Sequence, residues 1–421
     1  MSNLRKFVLD NGVRVLVEPV GHVKSAAIGL WCKTGSRHET DAEAGITHLI
    51  EHMLFKGTTS RSAKEIAEAI EGRGGQLNAF TDKEATCYYC RVLADDAENG
   101  IDVLTDMMLH SLIDPEELKR EEGVVLEEIK RSEDEPGDHV HELHLQYRWG
   151  DHPLGKPIIG TPESVAGFER DDIQAYLARR YRAENVLLAV AGNVDPETVL
   201  KAAEKALGKI PSGAHDSQPE RPVGTVRTEE IGKDVEQVHF CIGADGCSIY
   251  DDELYPLIVM DAALGGSMSS RIFQEIRERR GLAYSVGSYQ LSYGAGGAYT
   301  VYGGTSAEQW PLVQELVRTE FDKVVQSGLD PDELARTKRN ISGNLVLGLE
   351  GMSGRMMRMS RNELNHGREI SLDETLAKID AVTNERILTL AGRILPEDRI
   401  STTAIGPFGE FADDENAEEA E

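Results

Sequence analysis

The sequence predicts two homologous domains built from mixed strands and helices. Three observations predict it. Ile113-Asp-Pro-Glu-Glu-Leu-Lys-Arg120 recurs 216 residues later as Leu329-Asp-Pro-Asp-Glu-Leu-Ala-Arg336, each copy following one amphipathic helix and opening another. Residues 211–223 lie almost at the midpoint of the 421-residue chain and are polar and rich in Pro, Ser and Gly, the composition of a linker. The strand-then-helix order of the first half returns at 238–244 and 255–264. The domains implied are 1–210 and 225–411, joined by 211–224 and followed by an acidic, disordered tail at 412–421.

In chain order, Phe7-Val-Leu-Asp-Asn11-Gly12-Val-Arg-Val-Leu-Val17 is a hairpin signal, with Asn-Gly at the turn. Residues 25–32 read as a buried strand and 34–40 as a loop. A helix is predicted around Thr47-His48-Leu49-Ile50-Glu51-His52-Met53-Leu54, broken at Lys56-Gly57-Thr58. Residues 62–71 are an amphipathic helix stopped by Gly72 and Gly74-Gly75. Residues 76–81 are extended, 86–92 form a strand and 94–112 a helix. Asp114 and Pro115 supply the N-cap and first position of the next helix, which carries Glu121, Glu127 and Glu128. Thr161-Pro162-Glu163 caps another helix, and 185–193 is a buried strand followed by a helix to about Leu207. The Met- and Arg-rich run 349–363 lacks interleaved aromatics and reads as a helix packed on a sheet.

Apolar content of 40% and charged content of 28% fit a soluble globular protein, and no window has the length of a membrane span. A net charge of −28 disfavours nucleic acid and anionic membranes as partners; it would attract basic peptides, or it serves solubility alone. The N-terminal residues lack the apolar core of a signal peptide, so a cytoplasmic location is expected, or an organelle if this is a mature form. The five cysteines are odd in number, which argues against a disulfide framework. Cys87 and Cys90 are three apart on a strand and so face opposite sides, as structural thiols. His139, His141, His144 and His152 have the spacing of no standard metal site.

The chemistry concentrates at His48, Glu51 and His52. On a helix, His48 and His52 lie one turn apart on one face, where two imidazoles can bind one zinc ion (Zn2+). Glu51 lies on nearly the same face, placed to take a proton from water. This is the H-x-x-E-H order of inverzincins. Two histidines and a glutamate are costly to bury in an apolar stripe unless something compensates them; the alternative is a buried helix with hydrogen-bonded histidines. A third ligand is expected on a downstream helix, where Glu121 and Glu128 are two turns apart and share a face. The duplicate retains no ligand. At the repeat interval the four positions fall on Leu264, Ser267, Met268 and Asn344, and in the register eight residues earlier the first three fall on Pro256, Val259 and Met260.

These residues resemble the pitrilysin/insulinase-type inverzincin metallopeptidases over nearly the whole chain, most of all the short bacterial members and the β-subunit of mitochondrial processing peptidase. The resemblance implies that Glu128 is the third ligand, Glu121 a supporting carboxylate and Glu127 a solvated charge. It implies that Asn78, Ala79 and Phe80 bind a peptide backbone along an edge strand. It matches Arg277 and Tyr284, seven apart in Ile-Arg-Glu-Arg-Arg-Gly-Leu-Ala-Tyr, to a pair that donates to a substrate carbonyl and its oxyanion; spacing alone would allow an exposed Arg and a core Tyr. The fold implied is α+β, each domain an antiparallel sheet packed with helices, the two facing as a clamshell. Two chains commonly pair in such proteins, as a homodimer or with a homologue. The activity implied is zinc-dependent endopeptidase action on unfolded peptides or presequence-like segments. The competing class is a non-catalytic scaffold subunit, but such subunits lose the H-x-x-E-H residues, all of which stand here. A narrower alternative is a dedicated processor of one precursor peptide.

Overall fold

The computed structural model describes residues 3–213 and 220–411; linker residues 214–219 and the acidic tail 412–421 lie outside the described residues. The first half runs β1 (Arg5–Val8), β2 (Arg14–Pro19), β3 (Ser25–Cys32), α1 (Ile46–Leu54), α2 (Ala63–Glu71), β4 (Gln76–Thr81), β5 (Thr86–Leu93), α3 (Ala97–His110), α4 (Pro115–Asp134), α5 (Pro136–Trp149), α6 (Pro162–Val165), α7 (Arg170–Arg180), β6 (Val186–Gly192) and α8 (Pro196–Leu207). The second runs β7 (Thr228–Gly232), β8 (Val238–Asp245), α9 (Leu254–Leu264), β9 (Ala283–Ser292), β10 (Gly297–Thr305), α10 (Trp310–Ser327), α11 (Pro331–Gly348), α12 (Met352–His366), α13 (Leu372–Asp380), α14 (Asn384–Ile394) and β11 (Ser401–Gly406).

Two α+β units result. One comprises Met1–Lys130, Lys156–Ser217 and Leu345–Leu372; the other comprises Arg131–Gly155, Gln218–Asn344 and Asp373–Glu421. A single cut at the linker would not produce this division, because each half lends a helix to the other's unit. α5 covers β8 and β11, whereas α12 covers β2, β3 and β6. Pro136 and Met352 open these helices 216 residues apart, so the exchange follows the repeat.

The first sheet has the order β1-β2-β6-β3-β5-β4 and the second β7-β11-β8-β10-β9. Each is antiparallel except for one pair, β2 with β6 and β7 with β11. β4 and β9 occupy matching edges. The predicted hairpin forms, with Gly12 at φ 101°, but its strands stop at Val8 and restart at Arg14. The reason lies in Asn11. Its amide donates to the carbonyls of Leu207 (2.8 Å) and Ile210 (3.0 Å), tying the turn to the end of α8.

Alternation along the strands gives the first sheet two buried faces. Ile28, Leu30 and Cys90 join the main core with Leu49, Ile50 and Leu104, while Ala27, Trp31 and Cys87 lie under Met352, Met356 and Met359 of α12. Cys87 and Cys90 therefore do face opposite sides, and all five thiols are buried and free. Met356 packs where Gly29 has no side chain; a Cβ there would meet its sulfur at 2.5 Å. Buried Glu363 on α12 pairs with Lys6 (2.7 Å) and Arg14 (3.3 Å). Met356→Ala is expected to lower the unfolding free energy by about 2–5 kcal/mol, because the rigid sheet beneath cannot collapse into the cavity. Urea unfolding of the two proteins measures this.

Three of the four other histidines singled out in the sequence are engaged by neighbouring groups. His144 is buried against Thr403 (Nδ1 to Oγ1 3.1 Å), and burial, aided by Arg148, pushes it down to about 3. His141 meets the Tyr289 hydroxyl at 2.8 Å, and His152 bonds to the Glu220 carbonyl at 2.9 Å. Among the described residues no helix is long and apolar enough to cross a membrane.

Candidate metal centre

α1 buries Ile46, Leu49, Ile50, Met53 and Leu54 in the core of its unit, so its period leaves His48, Glu51 and His52 half-buried on the other side. The helix starts at Gly45 with φ 89°, a left-handed conformation that glycine adopts freely. Glycine also fits because a Cβ there would meet the Ile159 carbonyl oxygen at 2.6 Å. Gly45 has no side chain to cap the helix. Glu39, from the preceding loop, does so instead, its carboxylate accepting the N–H groups of Gly45 (2.8 Å) and Thr47 (2.9 Å). Burial pushes the Glu39 acid up to about 7, opposed by these bonds and by Lys83.

α4 is capped as predicted, Asp114 accepting the N–H groups of Glu116 (2.9 Å) and Glu117 (3.1 Å). Its buried Leu118, Val125 and Ile129 set the rotation that turns Glu121 and Glu128 towards α1. Nε2 of His52 lies 3.7 Å from Oε2 of Glu128, and Nε2 of His48 lies 4.0 Å from the same oxygen. One donor atom from each of His48, His52 and Glu128 falls within 4.8 Å of the others, and among the described residues no other group of three does so. Donor atoms around a tetrahedral zinc ion are about 3.3–3.5 Å apart, so a small side-chain adjustment seats one.

The surroundings also fit zinc. His52 Nδ1 is 3.1 Å from Glu121 Oε2, which places the proton on Nδ1 and leaves the Nε2 lone pair for the cluster. Glu121 is held in turn by Lys56 at 2.6 Å. Burial, with neighbouring His52, pushes His48 down to about 4, so at neutral pH it is the uncharged imidazole that ligates metals. Nδ1 of His48 is buried without a hydrogen-bond partner.

Glu51 stands apart from the donor group. The Thr81 hydroxyl donates to its Oε2 at 2.5 Å. Burial raises its acid above the ordinary carboxylate range, opposed by Thr81 and His52 and reinforced by Glu128. Glu127 points away, pairing with Lys130 at 2.6 Å on the exposed side of α4.

The other predicted residues fall in two places. Asn78, Ala79 and Phe80 lie on β4, whose outer edge pairs with no strand among the described residues. Asn78 is exposed, and its Oδ1 accepts the Ala79 N–H at 2.8 Å. Phe80 is half-buried and packs edge-on against Trp31, centroids 5.5 Å apart. Arg277 and Tyr284 lie in the second unit, on a π-helical turn (Phe273–Arg279) and on β9. They meet: the guanidinium carbon of Arg277 is 5.1 Å from the Tyr284 ring centre and 4.8 Å from that of Phe273. Tyr284 is 83% exposed and so is not a core residue.

Three side chains that sequence reasoning passed over belong to the site: Glu39, Lys56 and Thr81. Each touches it across a gap in sequence that no periodicity reports.

A family model described as insulinase (peptidase family M16) matches residues 14–162, and one described as peptidase M16 inactive domain matches residues 167–341. The chain is 42% identical over 408 residues to the uncharacterized zinc protease YmxG of Bacillus subtilis, covering 96% of this chain and 99% of that one. An uncharacterized zinc protease of Streptomyces coelicolor is 41% identical over 418 residues, covering 97% and 90%. Among solved structures, a protease from Helicobacter pylori superposes with a TM-score of 0.89 at 20% identity, covering 97% of this chain and 100% of that one. A peptidase M16 inactive domain from Pseudomonas fluorescens gives 0.87 at 21%, covering 97% and 98%.

Proposed function

The chain belongs to the insulinase family of peptidases, family M16, and from that premise we propose that it is a zinc-dependent endopeptidase acting on unfolded peptides. The observation that carries this reading is the convergence of His48, His52 and Glu128, with Glu51 beside them and outside the donor group. His48 and His52, through Nε2, and Glu128, through a carboxylate oxygen, would hold the ion. Bound there, zinc supplies Lewis acidity that makes water a nucleophile near neutral pH.

The chain's own groups do the rest. Glu51 takes the proton from the attacking water and returns it to the leaving amine. Glu121 keeps the His52 ring in the ligating tautomer. The free edge of β4 aligns an extended peptide by main-chain hydrogen bonds, which requires an unfolded substrate and demands no single sequence. Arg277 and Tyr284 are assigned as donors to the substrate carbonyl and its oxyanion, on the resemblance of the run around them to that family. Basic peptides are the favoured substrates of an acidic chain. A second copy of the chain, or a homologue, is the expected partner.

Metal analysis of the purified protein, combined with cleavage of a panel of acidic and basic unfolded peptides, tests the reading. One zinc per chain and chelator-sensitive cleavage are expected; a protein that neither holds nor takes up zinc would end it. Arg277→Ala should lower kcat about 10²–10³-fold with zinc retained, and loss of metal in that variant would show the residue to be misassigned.

A further inference from the structure

We propose that Glu39 is a positioning residue for the metal centre: by closing the first turn of α1 from outside the helix, it sets the direction of His48 and thereby the affinity for zinc. The proposal rests on the reading of His48, His52 and Glu128 as zinc ligands.

α1 is only nine residues long, yet it carries two of the three donors and the proposed base. A helix so short has little internal stiffness, and the N–H groups of its first turn have no partner within it. Gly45 cannot cap it. Glu39 satisfies two of the groups at once, at 2.8 and 2.9 Å. Thr47, whose N–H it holds, immediately precedes His48.

The grip continues beyond the carboxylate. The Thr47 hydroxyl is 3.0 Å from that of Tyr176, which is 3.2 Å from Oγ1 of Thr34. Thr34 accepts from Nε of buried Arg180 at 3.2 Å. Gly160 approaches the start of the turn so closely that a Cβ there would meet the Ala44 carbonyl oxygen at 2.4 Å. Lys83, itself bonded to the Lys156 carbonyl, is the cation whose field reaches Glu39. The turn thus touches both α7 and the 159–160 backbone, with Glu39 as the one group bonding directly to its amides among these contacts.

Glu39→Gln turns an amide N–H2 towards one of those N–H groups, so one bond is lost and the turn loosens. Zinc dissociation constants, measured by competition with a chromophoric chelator, should rise about 10–100-fold in the full-length variant, the range for residues that orient a ligand. Zinc-saturated Glu39→Gln should keep KM and lose kcat, since a misdirected His48 alters the reacting geometry and leaves the β4 edge intact. Independently of any variant, the Gly45 and Thr47 amides of the metal-free wild-type protein should exchange with deuterium more slowly than those of residues 41–43. A Glu39→Gln protein that binds zinc within about twofold of wild type overturns the proposal, as does wild-type exchange at Gly45 and Thr47 as fast as in the neighbouring loop. A wild-type chain that takes up no zinc overturns the zinc reading, and the proposal with it.

Discussion

Glu51→Gln is expected to retain zinc at wild-type stoichiometry while kcat falls by about 10²–10⁴-fold. Glu51 is not a member of the converging donor group, so exchanging its carboxylate for an isosteric amide removes no ligand. Glutamine still accepts the Thr81 hydroxyl through its carbonyl oxygen, so the side chain stays in place. It cannot take up a proton, however, and the leaving amine is then expelled unprotonated. The check pairs metal analysis with steady-state cleavage of one peptide, and KM should hold because β4 is untouched. Full turnover in a zinc-loaded variant would exclude Glu51 as the base.

Glu128→Ala is expected to weaken zinc binding by more than about 10³-fold, leaving two imidazoles where a catalytic zinc site requires three protein ligands. The fold should be indifferent. The Glu128 side chain is 43% exposed near the end of α4, and substitutions at such positions usually change stability by no more than about 0.5 kcal/mol. Loss of metal with an unchanged Tm for the metal-free protein is therefore the anticipated pair of results. Glu127→Ala, one residue earlier, is the matched control: its carboxylate faces Lys130 and solvent, and zinc binding should not change. If the control loses zinc as well, the assignment of the third ligand to Glu128 falls.

Much of this was legible because it is local. The helical period alone puts His48 and His52 on one side of α1, and the apolar residues between them put that side away from the core. Asp114 and Pro115 open α4 where the rules of helix capping say, and α2 ends at Glu71, before Gly72. The repeat was visible because both copies kept the same turn residues. That the second half has no counterpart of His48, Glu51, His52 or Glu128 could be counted off directly.

Other features escaped for a common reason. The exchange of α5 and α12 between units leaves no local trace, since an amphipathic helix reads the same whichever sheet it covers. Tyr284 could have been a core residue by spacing, and its exposure depends on what stands over β9. The partners of Asn11 lie almost 200 residues away, so a turn-forming residue was read for its turn alone.

The amino-acid order by itself determined which helix carries His48, Glu51 and His52, and that this happens once in a duplicated chain. Both follow from backbone periodicity, which acts over a few residues. Only the tertiary structure decided that Glu128 reaches the histidines, that Glu121 and Lys56 lock His52, that Thr81 holds Glu51 and that Glu39 closes the first turn of α1. These are meetings between segments whose separation along the chain says nothing of their distance in space, and they are set by how helices and strands pack around a shared core.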